Sequence, residues 1–268
     1  MNVLRNPWYS SVIIFLIWLI VIMRVQDLPF VAHHRSIDQF AGKSIDFLEL
    51  ESLVFFFGAI TYLKWWPQVG LKGLENKRVE IFLGVKLRYL RFLWLPILFL
   101  FIHVLLILVA GLPPIRVLMF VLINTLMIGI CEELLFRGIL FHGAASSFGI
   151  WRAVWITTII FGAIHVLSGF VSGDFNASIL QAFYAFMFGF YMVALRIRLD
   201  TIIPGIIIHW LWDYLIDLTH FNGYSGVWVE SILYYIAFVA YGIWLLRDYI
   251  PKRYNDRSQT KSFKRILQ

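Results

Sequence analysis

Apolar stretches about as long as a bilayer is thick recur along almost the whole chain, and they leave it few ways to fold. They fall at about 8–23, 47–66, 93–110, 115–141, 151–167, 178–195, 201–218 and 227–246. A run of about 20 apolar residues crosses the hydrocarbon core as a helix, because backbone amides in lipid must be satisfied within their own segment. Of the 268 residues, 60% are hydrophobic and 15% charged, whereas a soluble domain is roughly half apolar and a quarter charged. The expectation is an all-α, polytopic membrane protein with about eight transmembrane helices, forming a single integral membrane domain over 1–268. Two stretches are weaker. Glu49 and Glu51 sit near the start of the second, and the seventh is short.

The net charge is +7. The basic residues gather in two clusters flanking apolar runs, which anionic headgroups and topology explain better than nucleic acid does. The expected partner is therefore the lipid bilayer, with no nucleic acid. Eight spans put both termini on one side. That side collects Arg5, the basic connection at 64–91, Arg152, Arg196, Arg198 and the tail at 247–268; the other side receives Arg24, Arg35, Lys43 and Arg116. By the positive-inside rule both termini are cytoplasmic, in a plasma (inner) membrane. The first segment follows only Arg5 and lacks a small-residue cleavage site, so it reads as a retained signal-anchor. Residues 79–92 alternate apolar and basic residues at helical spacing and read as a helix on the membrane surface. Cys131 is the single cysteine; it allows no internal disulfide and reads as packing rather than as a nucleophile.

Charge inside an apolar run is costly and points to function. The fourth run contains Cys131-Glu132-Glu133-Leu134-Leu135-Phe136-Arg137-Gly138. Glu133 and Arg137 are four apart, share a helix face and can pair. Glu132 points about 100° away and has no partner in its own segment. A buried ion pair that merely fixes packing would account for Glu133 and Arg137, but not for the second carboxylate.

Two other runs carry polar groups: His165 ends Phe161-Gly162-Ala163-Ile164-His165, and His209 and Asp213 lie four apart. Depth decides whether they can meet Glu132. At 1.5 Å per residue, measured from the cytoplasmic helix ends, Glu132 lies roughly 15 Å deep, His165 roughly 21 Å, His209 roughly 12 Å and Asp213 roughly 18 Å. Four polar groups from three helices thus share the middle of the core. The remaining histidines, His33, His34, His103, His142 and His220, have no such company and read as structural or solvated.

The series Glu132-Glu133…Arg137, Phe161…His165 and His209…Asp213 resembles the motifs of the CAAX prenyl protease and bacteriocin-processing (CPBP) family of intramembrane proteases. The resemblance covers about 115–218 and includes the approach Arg198-Leu199-Asp200-Thr201-Ile202-Ile203-Pro204-Gly205. It implies an intramembrane endopeptidase acting on a membrane-associated peptide or protein. Glu132 is then the general base, His165 shares or orients the water, and Glu133 and Arg137 clamp Glu132 in its rotamer. His209 and Asp213 take the role of stabilising the tetrahedral intermediate, as the resemblance implies for that pair.

Asp213 complicates this. An asparagine there would donate to an oxyanion, whereas an ionised aspartate only accepts. Asp213 must carry a proton, orient His209 or bind a metal. Glu132, His165, His209 and Asp213 form a zinc set by residue type, but no His-Glu-x-x-His helix is present. The metal-free mechanism is favoured, with zinc as the alternative. A catalytically inactive membrane scaffold and a proton-coupled transporter are the other classes that buried Glu, His and Asp permit. Prenylated tails, bacteriocin leaders and peptide-signal precursors all remain open as substrates.

Overall fold

The computed structural model describes residues 6–26, 47–71, 81–82, 85–221 and 228–249. The polar loop predicted at 24–46 lies almost wholly outside these residues, with His33 and His34. Much of the basic connection and the tail beyond residue 249 lie outside them too.

Eight helices occupy the described residues: α1 (Pro7–Gln26), α2 (Phe47–Leu63), α3 (Trp94–Ala110), α4 (starting at Ile115), α5 (starting at Ile150), α6 (Phe175–Leu199), α7 (Ile203–Phe221) and α8 (Trp228–Leu246). Four rods are long and apolar enough by themselves to cross a membrane: Leu90–Ala110, Ile115–Phe148, Ile150–Phe170 and Phe175–Leu199. The protein is an all-α, polytopic helical membrane protein. Its outer surface fits lipid: α3 alone exposes Ile97, Leu98, Phe101, Leu105, Leu108 and Val109, a face that water would not tolerate.

Local chemistry sets the helix ends. Gly111, at φ 98°, returns its N–H to Ile107 O and closes α3, and Pro114 then opens α4. Asp174 caps α6 by accepting from the Ala177 amide at 2.9 Å. Asp200 ends α6 in the left-handed region, which aspartate enters more readily than most residues.

Two sequence expectations change. The described residues of 79–92 do not form the single surface helix expected. Ile81–Phe82 (β1) pairs antiparallel with Val85–Lys86 (β2), and a 3₁₀ helix over Leu87–Leu93 leads into α3. Aromatic and β-branched residues at Ile81, Phe82 and Val85 suit a strand pair better than a helix. The fourth segment, predicted to end at 141, continues as one rod to Phe148. Its 34 residues reach on the order of 50 Å, well beyond the hydrocarbon thickness.

That rod also changes form. It is α-helical over Ile115–Glu132, π-helical over Glu133–Leu140 and α-helical again over Phe141–Phe148. All eight π-helical residues are buried. An eight-residue π segment is rare, and such departures cluster at functional sites.

α6 forms the centre of the bundle, packed against α5 on one side and α8 on the other. Nearly every residue from Met187 to Leu199 is buried. α7 crosses α4, and α1 and α2 cover the π segment. Small residues mark the close crossings, as in other membrane bundles. A side chain at Gly129 would meet the Trp210 backbone at 3.1 Å, and one at Gly143 would meet the Pro7 carbonyl at 2.7 Å.

The loop after α2 closes one end of this bundle. Val69 is wholly buried and packs on Gly138. Ile202 N–H donates to Gly70 O at 2.9 Å, and Arg196 donates to Gln68 O at 3.2 Å and to Asp200 at 3.2 Å. Gly70 is required twice over, by its φ of 85° and by the Arg196 guanidinium where a Cβ would lie.

Candidate active site

The two adjacent glutamates meet different surroundings. Glu133, the first π-helical residue, has a side chain 1% exposed. It accepts from Arg137 Nη1 at 2.9 Å and from His209 Nδ1 at 2.9 Å, both on Oε1. Gly205 leaves the space beside its Oε2, where a Cβ would come within 3.2 Å. Arg137 also lies over the Phe161 ring, 4.0 Å from its centroid, and Gly189 makes room for both. Glu132 is 18% exposed and approaches His209 Nε2 at 3.6 Å through Oε2.

The expected Glu133–Arg137 pair is thus present, with a further partner the sequence did not name. Glu133 does more than pair with Arg137; it also orients His209, 76 positions away. No periodicity signals that contact. Only the crossing of α4 and α7, brought close at Gly129, makes it.

His209 sits 3.4 Å from Asp213 Oδ2 through the same Nε2 that faces Glu132. A carboxylate can only accept, so Nδ1 carries the proton shared with Glu133. Nε2 then faces two carboxyl groups. Either it is protonated, making an imidazolium, or Glu132 or Asp213 holds a proton; two bare carboxylates facing a lone pair would repel. One proton therefore belongs to the trio of Nε2, Glu132 and Asp213.

His165 stands where α5 changes from α to 3₁₀ geometry. Its Nδ1 meets Phe161 O at 2.7 Å. A carbonyl only accepts, so Nδ1 is the donor, and in the neutral ring Nε2 is a free acceptor. Its ring packs edge-on against Phe161, which also packs edge-on against His209.

Glu132, His165, His209 and Asp213 all line one cavity of ≈ 930 Å³. α4, α5 and α7 thus bring the four to a common space, with Glu132 and Asp213 each close to His209 Nε2 and His165 on the wall. The cavity extends past Ser168 and Ser178 to Thr219, toward the end where α5 stops, α6 starts and α7 stops.

Two wall residues escaped the sequence analysis. Asp217 follows Asp213 by one turn, a spacing that could have flagged it. His103, read as structural, is buried with Nδ1 on Phe99 O at 2.8 Å, yet it too borders the cavity. His142 is buried against Trp65 on the closed side, away from this space. Cys131 is buried, with Sγ 3.3 Å from Glu49 O.

The described residues contain no group of three or more His, Cys, Asp or Glu side chains able to hold one ion. Nδ1 of His165 and of His209 is committed to a protein acceptor, which leaves Nε2 as the available nitrogen of each ring.

Residues 114–215 match the family model described as type II CAAX prenyl endopeptidase, Rce1-like. This part of the chain is similar to the CAAX protease family. The match takes in all three motifs: Glu132 to Arg137 on α4, Phe161 to His165 on α5, and His209 to Asp213 on α7. The matched segment runs from α4 to α7, with α1, α2, α3 and α8 packed around it. No curated protein and no solved structure was found to match the chain.

Proposed function

We propose that this CAAX-type protease hydrolyses a peptide bond of a membrane-associated peptide or protein, with Glu132 activating the water. The observation that carries this is the contrast within the Glu132–Glu133 pair. Glu133 is sealed, with its oxygen committed to two donors, whereas Glu132 opens onto the cavity beside His209.

The chemistry needs no metal. Glu132 takes a proton from a water that the Nε2 lone pair of His165 helps to orient, and the hydroxide adds to the scissile carbonyl carbon. Charge develops on the carbonyl oxygen, and the proton held among His209 Nε2 and Asp213 is available to bond it. Glu132 then gives its proton to the leaving amide nitrogen, the C–N bond breaks, and acid and amine products result. Glu133 and Arg137 keep His209 in the required tautomer.

Basic residues support an orientation in which the closed end faces the cytoplasm. Arg152, Arg196, Arg198 and Arg247 lie at the helix ends of that side, and the cavity opens away from them. Reporter fusions within 168–177 should read as external, and fusions at Gln268 as cytoplasmic.

The deciding experiment is Glu132→Gln, which keeps shape but loses basicity. Cleavage of membrane peptides should fall at least about 10²-fold with melting temperature unchanged. Near-normal turnover would remove Glu132 from the mechanism. A wild type that cleaves nothing would favour a role as scaffold or transporter instead.

A further inference from the structure

The cavity walls carry several acidic groups. Its walls include three carboxylates, Glu132, Asp213 and Asp217, and no lysine or arginine among the described residues. The guanidinium nearest the glutamate pair, Arg137, is withdrawn onto Glu133 and Phe161. Asp217 is partly buried, with no hydrogen-bond or ion-pair partner among the described residues.

The same walls are aromatic. Tyr184 and Tyr235 stack with centroids 4.6 Å apart and 12° between their planes. Trp212 donates its indole N–H to the Tyr235 hydroxyl at 3.3 Å. Tyr234 and Phe188 complete this side. Carboxylates beside aromatic faces are the chemistry that holds an organic cation, and they repel an anion.

The spacing suits a peptide. Four residues on α7 separate Asp213 from Asp217, about 6 Å along the helix. An extended chain advances about 3.3–3.6 Å per residue, so Asp217 lies level with a side chain about two residues from a bond presented beside His209. The cavity, at ≈ 930 Å³, is large enough for a short peptide segment.

Building on the proteolytic reading, we propose that the cavity takes a peptide with a lysine or arginine about two or three residues from the scissile bond. Asp217 selects that residue, and a carboxylate in the same place, from a glutamate or a free chain end, is rejected. The substrate class is a basic membrane-associated peptide cut at an internal bond.

The test uses the full chain in lipid nanodiscs. The probes are dye-labelled, C-terminally amidated Leu/Ala peptides, identical except for Lys, Gln or Glu at one central position. A fourth probe is the Gln peptide truncated so that a free carboxylate falls three residues after the centre. Binding is read by anisotropy on the Glu132→Gln protein, and cleavage is read on wild type.

The Lys peptide should bind at least about 10-fold more tightly than the Glu or free-carboxylate peptides, with Gln between them. Asp217→Asn should shrink the Lys-to-Glu ratio toward one, Asp217→Lys should invert it, and Asp217→Glu should preserve it. Equal affinities, no saturable binding, or a ratio indifferent to all three substitutions would overturn the proposal. A Lys preference that depends on Asp217, with no peptide cut by wild type, would uphold charge selection and overturn the proteolytic reading.

Discussion

The two ends of this bundle treat charge in opposite ways. At the closed end, Glu133, Arg137 and Arg196 are 1%, 2% and 4% exposed, and every one has a charged partner. The loop carrying Val69 and Gly70 and the helices α1 and α2 cover them. At the hollow end, Glu132, Asp213 and Asp217 face a cavity and are only partly buried. The boundary between the two regimes passes between neighbouring residues, Glu132 and Glu133. Residue type therefore does not decide whether a carboxylate is structural or available; the number of donors committed to it does. A buried charge with one partner removed is strongly destabilising, while a charge that already faces a cavity has less to lose.

The sharpest way to break this comparison is Arg137→Ala. It leaves Glu133 buried with only His209, and should cost on the order of 3–5 kcal/mol, read as a lost melting transition or failed expression. If Arg137→Ala is fully stable but inactive, the closed end is part of the chemistry and the division fails.

A smaller effect is expected at Gly143, where α1 meets α4. Gly143→Ala places a methyl against the Ser11 side chain and the Pro7 carbonyl, so α1 must shift. The cost should be about 1–3 kcal/mol of stability, with kcat for cleavage unchanged because the hollow end is untouched. A drop in kcat at full stability would show that α1 positions the π segment for catalysis.

The smallest effect belongs to Asp213→Asn. If a proton on residue 213 supports the oxyanion, the amide N–H replaces the O–H donor with nearly the same shape. Turnover should stay within about 3-fold of wild type, and any part of the pH–rate profile due to this group should disappear, since an amide does not titrate. A parallel loss of bound zinc and turnover, partly restored by added zinc, would establish the metal mechanism.

Much of this protein could be read without a structure. The helices follow from hydropathy, a local property: a segment without charge has one stable form in lipid, whatever surrounds it. The predicted starts at 47 and 115 coincide with those of α2 and α4, and that at 93 falls one residue before α3. The pairing of Glu133 with Arg137 and the adjacency of His209 to Asp213 were legible because each pair lies within one helix, four residues apart. Depth along the helices could say that Glu132, His165 and His209 lie at similar levels.

Tertiary structure decided the rest, because it turns on which helix crosses which. The hydrogen bond from His209 to Glu133 requires α7 to cross α4. The seat of Arg137 on Phe161 requires α5 to lie alongside the π segment. The π form of Glu133–Leu140 arises in a stretch packed on all sides, and no residue spacing announces it. The spacing to Arg137 tells Glu133 from Glu132 in the sequence, but it does not say which of the two opens onto a cavity. Rotation about a helix axis sets which of two adjacent carboxylates is enclosed, and the packing of seven other helices sets that rotation.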